Sequence, residues 1–280
     1  MIGLGLTIMV VSQAATLAKI EPFWSWNTPI AWTGFLIFAD AIVWRARRDS
    51  WIRSAPREFT LLALVSIPLW VLFEGYNRVI RNWQYVGLPE NAALRYFGYA
   101  WSFATIWPAL FLGAELIAVW RGTVRPKPET VRLKPDTTYA ALPALVSIAV
   151  GVLMLASPFL VSPAVAQYLA APVWLGFIFL LDPINAHLGA ESLWSDWRAG
   201  RRDRLINLIL SGFLCGMLWE LWNYWSRAKW HYTVPIMENL KIFEMPVPGY
   251  FGFPPFALEC FTMYVFTRRL FTRGGRAIAL

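Results

Sequence analysis

Six carboxylic acids of this 280-residue chain fall inside long apolar segments, where a charged group is hardest to accommodate. These acids are Asp40, Glu74, Glu115, Asp182, Glu220 and Glu259. A charged carboxylate at the centre of a bilayer costs about 3 kcal/mol on insertion scales. We therefore expect these acids to face a protein interior, to be paired, or to be protonated. A buried, protonated acid is a competent proton donor, so these positions are candidates for acid–base chemistry.

Two of the glutamates belong to the same local pattern. Glu74 and Glu220 each lie in aromatic-Glu-x-aromatic-Asn, and Trp-x-Tyr follows five or six residues later. The asparagines, Asn77 and Asn223, come three residues after the acid and share its helix face. We expect each amide to orient its carboxyl group by hydrogen bonding. Together with Glu259, these four residues are the candidate catalytic groups.

Aromatic side chains make up 16% of the chain, which contains 17 Trp. The candidates for lining a substrate site are Trp219, Trp222, Trp230, Tyr232, Tyr250 and Trp107. Placement in a membrane-interface belt is the alternative explanation for Trp230 and Tyr232. A proton donor beside aromatic rings suits reactions through carbocations, because the acid protonates an alkene or epoxide and the rings stabilise the positive charge. A second carboxylate would then remove a proton.

Composition indicates a membrane protein. Hydrophobic residues make up 58% and charged residues 15%, and the mean hydropathy is +0.47, whereas about 25% charged residues is usual for soluble domains. The net charge of +8 arises from basic residues in short loops between apolar runs, which argues against a nucleic-acid partner. With only two histidines and no Gly-rich phosphate loop, we expect neither a metal centre nor a cofactor.

Eight apolar segments approach the length that crosses the hydrocarbon core as a helix. They lie at about 2–20, 29–46, 59–80, 96–120, 141–160, 168–187, 206–226 and 248–268. The sequence therefore predicts an all-α integral membrane fold with eight transmembrane helices. Most of the 25 Lys and Arg residues lie in the loops 45–58, 121–140 and 188–205 and in the C-terminal tail. This distribution predicts a multi-pass protein of a bacterial-type cytoplasmic membrane with both termini cytoplasmic.

The two halves of the chain share motifs in the same order. Segments 32–40 and 174–182 both read Trp-x-Gly-Phe-x4-Asp, and the Glu74 and Glu220 patterns follow them. A third match, Gly-Tyr followed by Pro and Glu115 or Glu259, is looser. We predict four-helix repeats at 1–120 and 141–280, joined by a cytoplasmic linker at 121–140. An even number of spans per repeat makes the repeats parallel. Asp40, Asp182 and Glu115 could lock helices or line a site.

The segment 219–259 resembles the membrane-embedded, small-subunit type of lycopene cyclase and related membrane terpene cyclases. The resemblance lies in Trp219-Glu220, Trp230-x-Tyr232, Gly252-Phe253-Pro254 and Glu259. It implies proton-initiated ring closure of a polyene without a metal or redox cofactor. It also implies roles for Glu220 and Glu259, with Glu74 as the repeat counterpart of Glu220. The family has Asp where this chain has Glu220, and usually three spans per half.

These features together predict an integral membrane enzyme that transforms an isoprenoid or carotenoid-like lipid by acid-initiated cyclisation or isomerisation. Its partners would be a lipid-soluble substrate and the membrane lipid. The alternative is a proton-coupled transporter or channel that uses the intramembrane carboxylates. A non-catalytic membrane scaffold is a third possibility. The Pro-, Gly- and aromatic-rich segment 241–255 is predicted to form a structured loop over the outer end of the bundle near Glu220.

Overall fold

A computed structural model describes residues 1–123, 141–237, 239–272 and 275–279. The helices are α1 Ile2–Leu17, α2 Phe23–Arg47, α3 Trp51–Ser54, α4 Pro56–Ile80, α5 Ala92–Arg121, α6 Ala141–Leu160, α7 Pro163–Ala166, α8 Ala170–His187, α9 Leu193–Arg198, α10 Asp203–Trp225 and α11 Phe253–Phe271. The strands are β1 Trp83–Val86, β2 Lys229–Tyr232, β3 Lys241–Ile242 and β4 Met245–Pro246, and a 3-10 helix spans Val247–Gly252. The predicted all-α class is confirmed, whereas residues 124–140 of the predicted linker lie outside the described residues.

Five helices are long and apolar enough to cross a membrane: Phe23–Arg47, Pro56–Ile80, Ala92–Arg121, Leu142–Leu160 and Asp203–Trp225. A further apolar helix, Ile2–Leu17, is shorter. Membrane association follows from these segments, and a full set of eight spans stays a prediction. Two predicted boundaries are wrong by several residues. Helix α2 begins at Phe23 and includes a kink at Trp26, and α11 begins only after the Pro- and Gly-rich 3-10 helix.

The long helices differ in how much of their surface other helices cover. Only 17% of the apolar stretch is buried in α4 and in α6, whereas 78% is buried in α5. Helix α4 presents Leu64 and Val71 outward, and α6 presents Leu145 and Leu153. Apolar faces of this extent avoid water, so we assign them to the lipid-facing surface. Helix α5 lies at the centre, against α2, α4 and α10.

In each half, glycines allow the first long helix to pack closely on the second. A Cβ on Gly5 would lie 2.6 Å from the Gly34 carbonyl oxygen, and one on Gly151 would lie 2.8 Å from the Gly176 carbonyl oxygen. Gly34 and Gly176 are the glycines of the repeated Trp-x-Gly-Phe motif. Small residues at helix contacts are typical of membrane proteins. The shared motif therefore builds the same helix contact twice.

The two Trp-x-Tyr motifs form one antiparallel ribbon across the end of the bundle. Trp83 pairs with Tyr232, Tyr85 pairs with Trp230, and the centre of the ribbon falls between Gln84 and His231. Each Trp of one motif thus faces the Tyr of the other, which is the pairing that a local two-fold axis between Gln84 and His231 requires. The ribbon brings the segments that follow Glu74 and Glu220 together.

The opposite end of the bundle is closed by residues near the C-terminus. Ile278 is fully buried, its backbone N–H donates to Glu191, and its carbonyl oxygen accepts from Arg204. Arg276 donates to Glu115. The terminal segment is therefore tied to α5 by an ion pair, and to α10 and the residue Glu191 before α9 by hydrogen bonds.

Candidate functional site

A cavity of about 520 Å³ lies between the ribbon and the helices. Both halves contribute to its wall, which is mostly apolar. Aromatic residues of the wall include Trp32, Trp83, Trp174, Trp219, Trp230 and Phe256. We call this space the aromatic cavity. Its size and lining are typical of sites for small apolar ligands.

Glu74 lies behind the wall of the aromatic cavity and receives three hydrogen bonds on one oxygen. Its Oε1 accepts from Tyr85 Oη at 2.6 Å, from Trp70 Nε1 at 2.8 Å and from Trp83 Nε1 at 3.2 Å. All three donors are neutral and belong to the first half of the chain. Donors concentrated on one oxygen stabilise a carboxylate.

Glu220 occupies the matching position in the second half with fewer donors. Its Oε1 accepts from Tyr232 Oη at 2.9 Å, and that phenol oxygen accepts from Trp230 Nε1 at 2.9 Å. The side chain is fully buried, and Oε2 has no hydrogen-bond partner among the described residues. Each half thus joins its glutamate to the Trp and Tyr of its own Trp-x-Tyr motif.

The two tyrosines stand between the acids and the cavity. Tyr85 and Tyr232 line the cavity, whereas Glu74 and Glu220 are not part of the described wall. Burial and the adjacent carboxyl group raise the pKa of both phenols well above its ordinary value. Both phenols therefore keep their proton at neutral pH and are available as hydrogen-bond donors. Each half presents a phenol to the cavity with a carboxyl group behind it.

Asn77 and Asn223 bind the ribbon instead of the acids. Asn77 Nδ2 donates to the Trp83 carbonyl oxygen at 2.8 Å, and its Oδ1 accepts from the Trp83 backbone N–H at 3.2 Å. Asn223 makes the same two bonds to Trp230, both at 2.9 Å. The prediction that these amides hydrogen-bond the carboxyl groups is therefore wrong. They fix the first residue of each Trp-x-Tyr motif, and so act on the acids only through that motif.

Asp40 and Asp182 hold the starts of short helices. Asp40 Oδ1 accepts from the Ile52 N–H at 2.8 Å, and Asp182 accepts from the N–H groups of Leu193 at 2.7 Å and Trp194 at 3.0 Å. These bonds satisfy backbone donors that a helix leaves free at its N-terminus. Both acids therefore have a structural role. The pattern that could have indicated this role is Asp-x9-Ser, which occurs at the same place in both halves, with the Ser just before the short helix.

The capping role of Asp182 predicts an effect on stability and none on chemistry. Asp182→Ala should lower the free energy of unfolding by about 1–2 kcal/mol, because the first N–H groups of α9 lose their acceptor. Thermal unfolding in detergent micelles measures this loss, and Asp182→Asn, which keeps an acceptor oxygen, is the matched control. A variant of normal stability that makes no product would place Asp182 in the site instead.

Glu115 is neutralised at the end of the bundle opposite the ribbon. Arg276 donates to it through Nε at 3.2 Å and Nη2 at 3.1 Å, and Arg47 lies 3.6 Å away. Although burial opposes it, the Glu115 and Asp49 carboxylates raise the pKa of Arg276 above its ordinary value. Glu115 is thus part of a structural ion cluster and is remote from the aromatic cavity.

Glu259 is buried near the start of α11, and its surroundings differ from those of Glu115. Its Oε1 accepts from the Phe177 backbone N–H at 3.2 Å, and its Oε2 has no partner among the described residues. It does not line the described cavity. Because Glu115 lies near the C-terminal end of α5, the two acids are not equivalent, and the third repeat match is wrong.

Three of the six predicted substrate-site aromatics line the cavity: Trp219, Trp230 and Tyr232. Two further wall residues, Trp32 and Trp174, begin the repeated Trp-x-Gly-Phe-x4-Asp motif. The recurrence of a tryptophan at the same point of both halves was the signal that could have identified them as site residues.

The other three predicted aromatics pack outside the described wall. The Trp222 ring lies 4.7 Å from the Trp32 ring. Trp107 is fully buried, and its Nε1 donates to a carbonyl oxygen of α11 at 2.8 Å. Tyr250 donates its hydroxyl to a carbonyl oxygen of β3 at 2.8 Å. These residues support the cavity from behind and do not face it.

The segment 241–255 is structured, as predicted, and lies close to the second acid. It forms the β3–β4 hairpin and the 3-10 helix. Glu244 in this hairpin forms an ion pair with Lys229 and lies 2.7 Å from His231 Nδ1 of the ribbon, and it is close enough to Glu220 to interact with it electrostatically. The hairpin therefore covers the ribbon beside Glu220.

Comparisons with protein-family models, with curated proteins and with solved structures give no match. The function has to be argued from the geometry of the site.

Proposed function

We propose that this chain is an integral membrane enzyme that transforms an isoprenoid or carotenoid-like lipid by acid-initiated cyclisation or isomerisation. The observation that carries the proposal is the glutamate–tyrosine pair of each half, whose phenol lines a cavity walled by aromatic rings. Proton donors, aromatic faces and an apolar space are the components that a carbocation reaction requires.

The proposed architecture has eight transmembrane helices in two parallel four-helix repeats. It is supported by the two-fold ribbon, by the glycine contacts of each half and by the aspartates that hold α3 and α9. The basic loops favour an orientation in a bacterial-type cytoplasmic membrane with both termini cytoplasmic. The apolar outer faces of α4 and α6 would lie in lipid, from which the substrate enters.

From the residues that the structure describes, Glu74 accepts three hydrogen bonds and Glu220 accepts one. We therefore give the two acids different roles in the proposed reaction. In the proposed first step, Tyr232 gives its proton to an alkene or epoxide while Glu220 passes its own proton to the phenol oxygen. The electron pair of the alkene or epoxide forms the new bond to that proton, and the resulting cation lies against tryptophan faces.

In the last step, Tyr85 removes a proton from the cation while giving its own proton to Glu74. In this scheme Glu74, whose Oε1 accepts three hydrogen bonds, is the group that receives the proton. The C–H electrons become the new double bond, so the reaction returns an isomer of the substrate. A proton then has to move from Glu74 to Glu220 before the next turnover.

The proposal is tested by expressing the protein in a host that accumulates lycopene or another linear polyprenoid. Extracts analysed by chromatography and mass spectrometry should contain a new product of unchanged mass. Absence of any new isomer across several such substrates, with the protein shown to be in the membrane, would contradict the proposal. Proton flux in liposomes that Glu74→Gln and Glu220→Gln abolish would favour the transporter alternative.

A further inference from the structure

Two polar atoms on one face of α2 are buried in the wall of the aromatic cavity without a partner. Thr28 is 8% exposed and Trp32 is 1% exposed, and both residues line the cavity. Thr28 Oγ1 and Trp32 Nε1 form no hydrogen bond within the part of the chain that the structure describes. The residues are four apart in a helix, so their side chains lie on the same face.

Polar side chains of α2 that point away from the cavity are satisfied by the protein. Asn27 accepts from Ser12 at 2.8 Å and donates to the Trp222 carbonyl oxygen at 3.0 Å. Thr33 donates to the Pro29 carbonyl oxygen at 2.8 Å and accepts from an indole of α5 at 3.0 Å. Buried polar groups are nearly always paired. Between residues 27 and 33, the buried polar atoms without a partner in the described part of the chain therefore belong to the residues that line the cavity.

A third unpaired atom lies in the same wall. Asn82 is 3% exposed, and its Nδ2 donates to the carbonyl oxygens of Ile80 at 3.0 Å and Gln167 at 2.8 Å. These two bonds fix the amide so that Oδ1, an acceptor, has no partner among the described residues. The wall thus offers an N–H donor, a hydroxyl and a carbonyl acceptor.

We propose that the aromatic cavity binds an isoprenoid alcohol, whose hydroxyl oxygen accepts from Trp32 Nε1 and bonds to Thr28 Oγ1. A hydroxyl can both accept and donate, which is what this set of groups requires. A pure hydrocarbon would leave the indole N–H, the hydroxyl and the amide oxygen without hydrogen-bond partners in an apolar environment. The inference rests on the proposed function, since it names the substrate class for the same cavity, and it favours an oxygenated lipid over a carotene.

The test measures binding, so it does not depend on turnover. The full chain in lipid nanodiscs is titrated with geranylgeraniol and with the hydrocarbon in which hydrogen replaces the hydroxyl, and tryptophan fluorescence reports occupancy. We expect the alcohol to bind about ten-fold more tightly, as one or two good hydrogen bonds would allow. Thr28→Val and Trp32→Phe should each remove most of this preference for the alcohol over the hydrocarbon.

The matched control is Thr33→Val on the same helix, whose hydroxyl is bonded within the protein. It should leave the preference for the alcohol unchanged. Thr28→Val should also unfold at the same temperature as the parent or higher, because its hydroxyl has no partner to lose.

Equal affinity for both probes, with no effect of either variant, would overturn the inference and leave the proposed function standing. Binding of neither probe would overturn both. Selective loss of alcohol binding in a protein that yields no isomer in the expression test would support the alcohol site and contradict the proposed reaction.

Discussion

Glu220→Gln should lower the rate of product formation by about 10²- to 10⁴-fold, the usual contribution of a general acid. The amide keeps the shape of the side chain and its bond to Tyr232, but it has no proton to pass to the phenol. The measurement is the amount of new isomer per membrane-inserted protein in the polyprenoid host. Glu90→Gln, at an exposed position before α5, is the control and should retain full activity.

The reaction should depend on the phenol as well as on the acid. Tyr232→Phe removes the group that reaches the cavity, so it should reduce activity by a factor similar to that of Glu220→Gln. The double variant should be little worse than either single one, because both break the same proton path. A fully active Tyr232→Phe enzyme would show that the proton does not pass through this residue.

Arg276→Met should lower the free energy of unfolding by about 3–5 kcal/mol. Arg276 contacts Glu115, which is fully buried, and also Asp49. Its removal leaves a buried carboxylate with only Arg47, at 3.6 Å, to compensate it. Thermal and denaturant unfolding of the protein in micelles measures the loss.

Adding Glu115→Gln to Arg276→Met should recover much of that stability, since no uncompensated buried charge remains. The activity per folded molecule should change little in both variants, because the ion cluster is at the opposite end of the bundle from the cavity. A loss below 1 kcal/mol in Arg276→Met would mean that water reaches Glu115 in the folded protein.

The repeated motifs predicted much of the site because they recur with their spacing intact. The Glu74 and Glu220 patterns, each followed by Trp-x-Tyr, identified the residues that form the two glutamate–tyrosine pairs. These residues could be predicted because burying a carboxyl group costs free energy, so an acid in an apolar segment needs specific partners. The same reasoning could not separate an acid that bonds a tyrosine, such as Glu220, from an ion-pair member such as Glu115.

The asparagines show why sequence spacing was insufficient. Asn77 and Asn223 share a helix face with the acids, but the chain turns back after each helix and brings the backbone of Trp83 and Trp230 to the amides. The backbone N–H and C=O of each tryptophan need partners in the folded protein. They form hydrogen bonds with the asparagine amide, which is then not available to the carboxyl group. That partner becomes visible only when the ribbon is formed.

The sequence by itself determined the membrane class, the helical segments and the recurrence of Trp, Glu, Asn and Tyr in both halves. These features depend only on residues that are close together along the chain. Only the tertiary structure decided which acids are paired with arginine, which stand behind tyrosines, and that Thr28 and Trp32 are unpaired in the cavity wall. The physical reason is that the free energy of a buried polar group depends on partners from distant parts of the chain, and folding alone sets those neighbours.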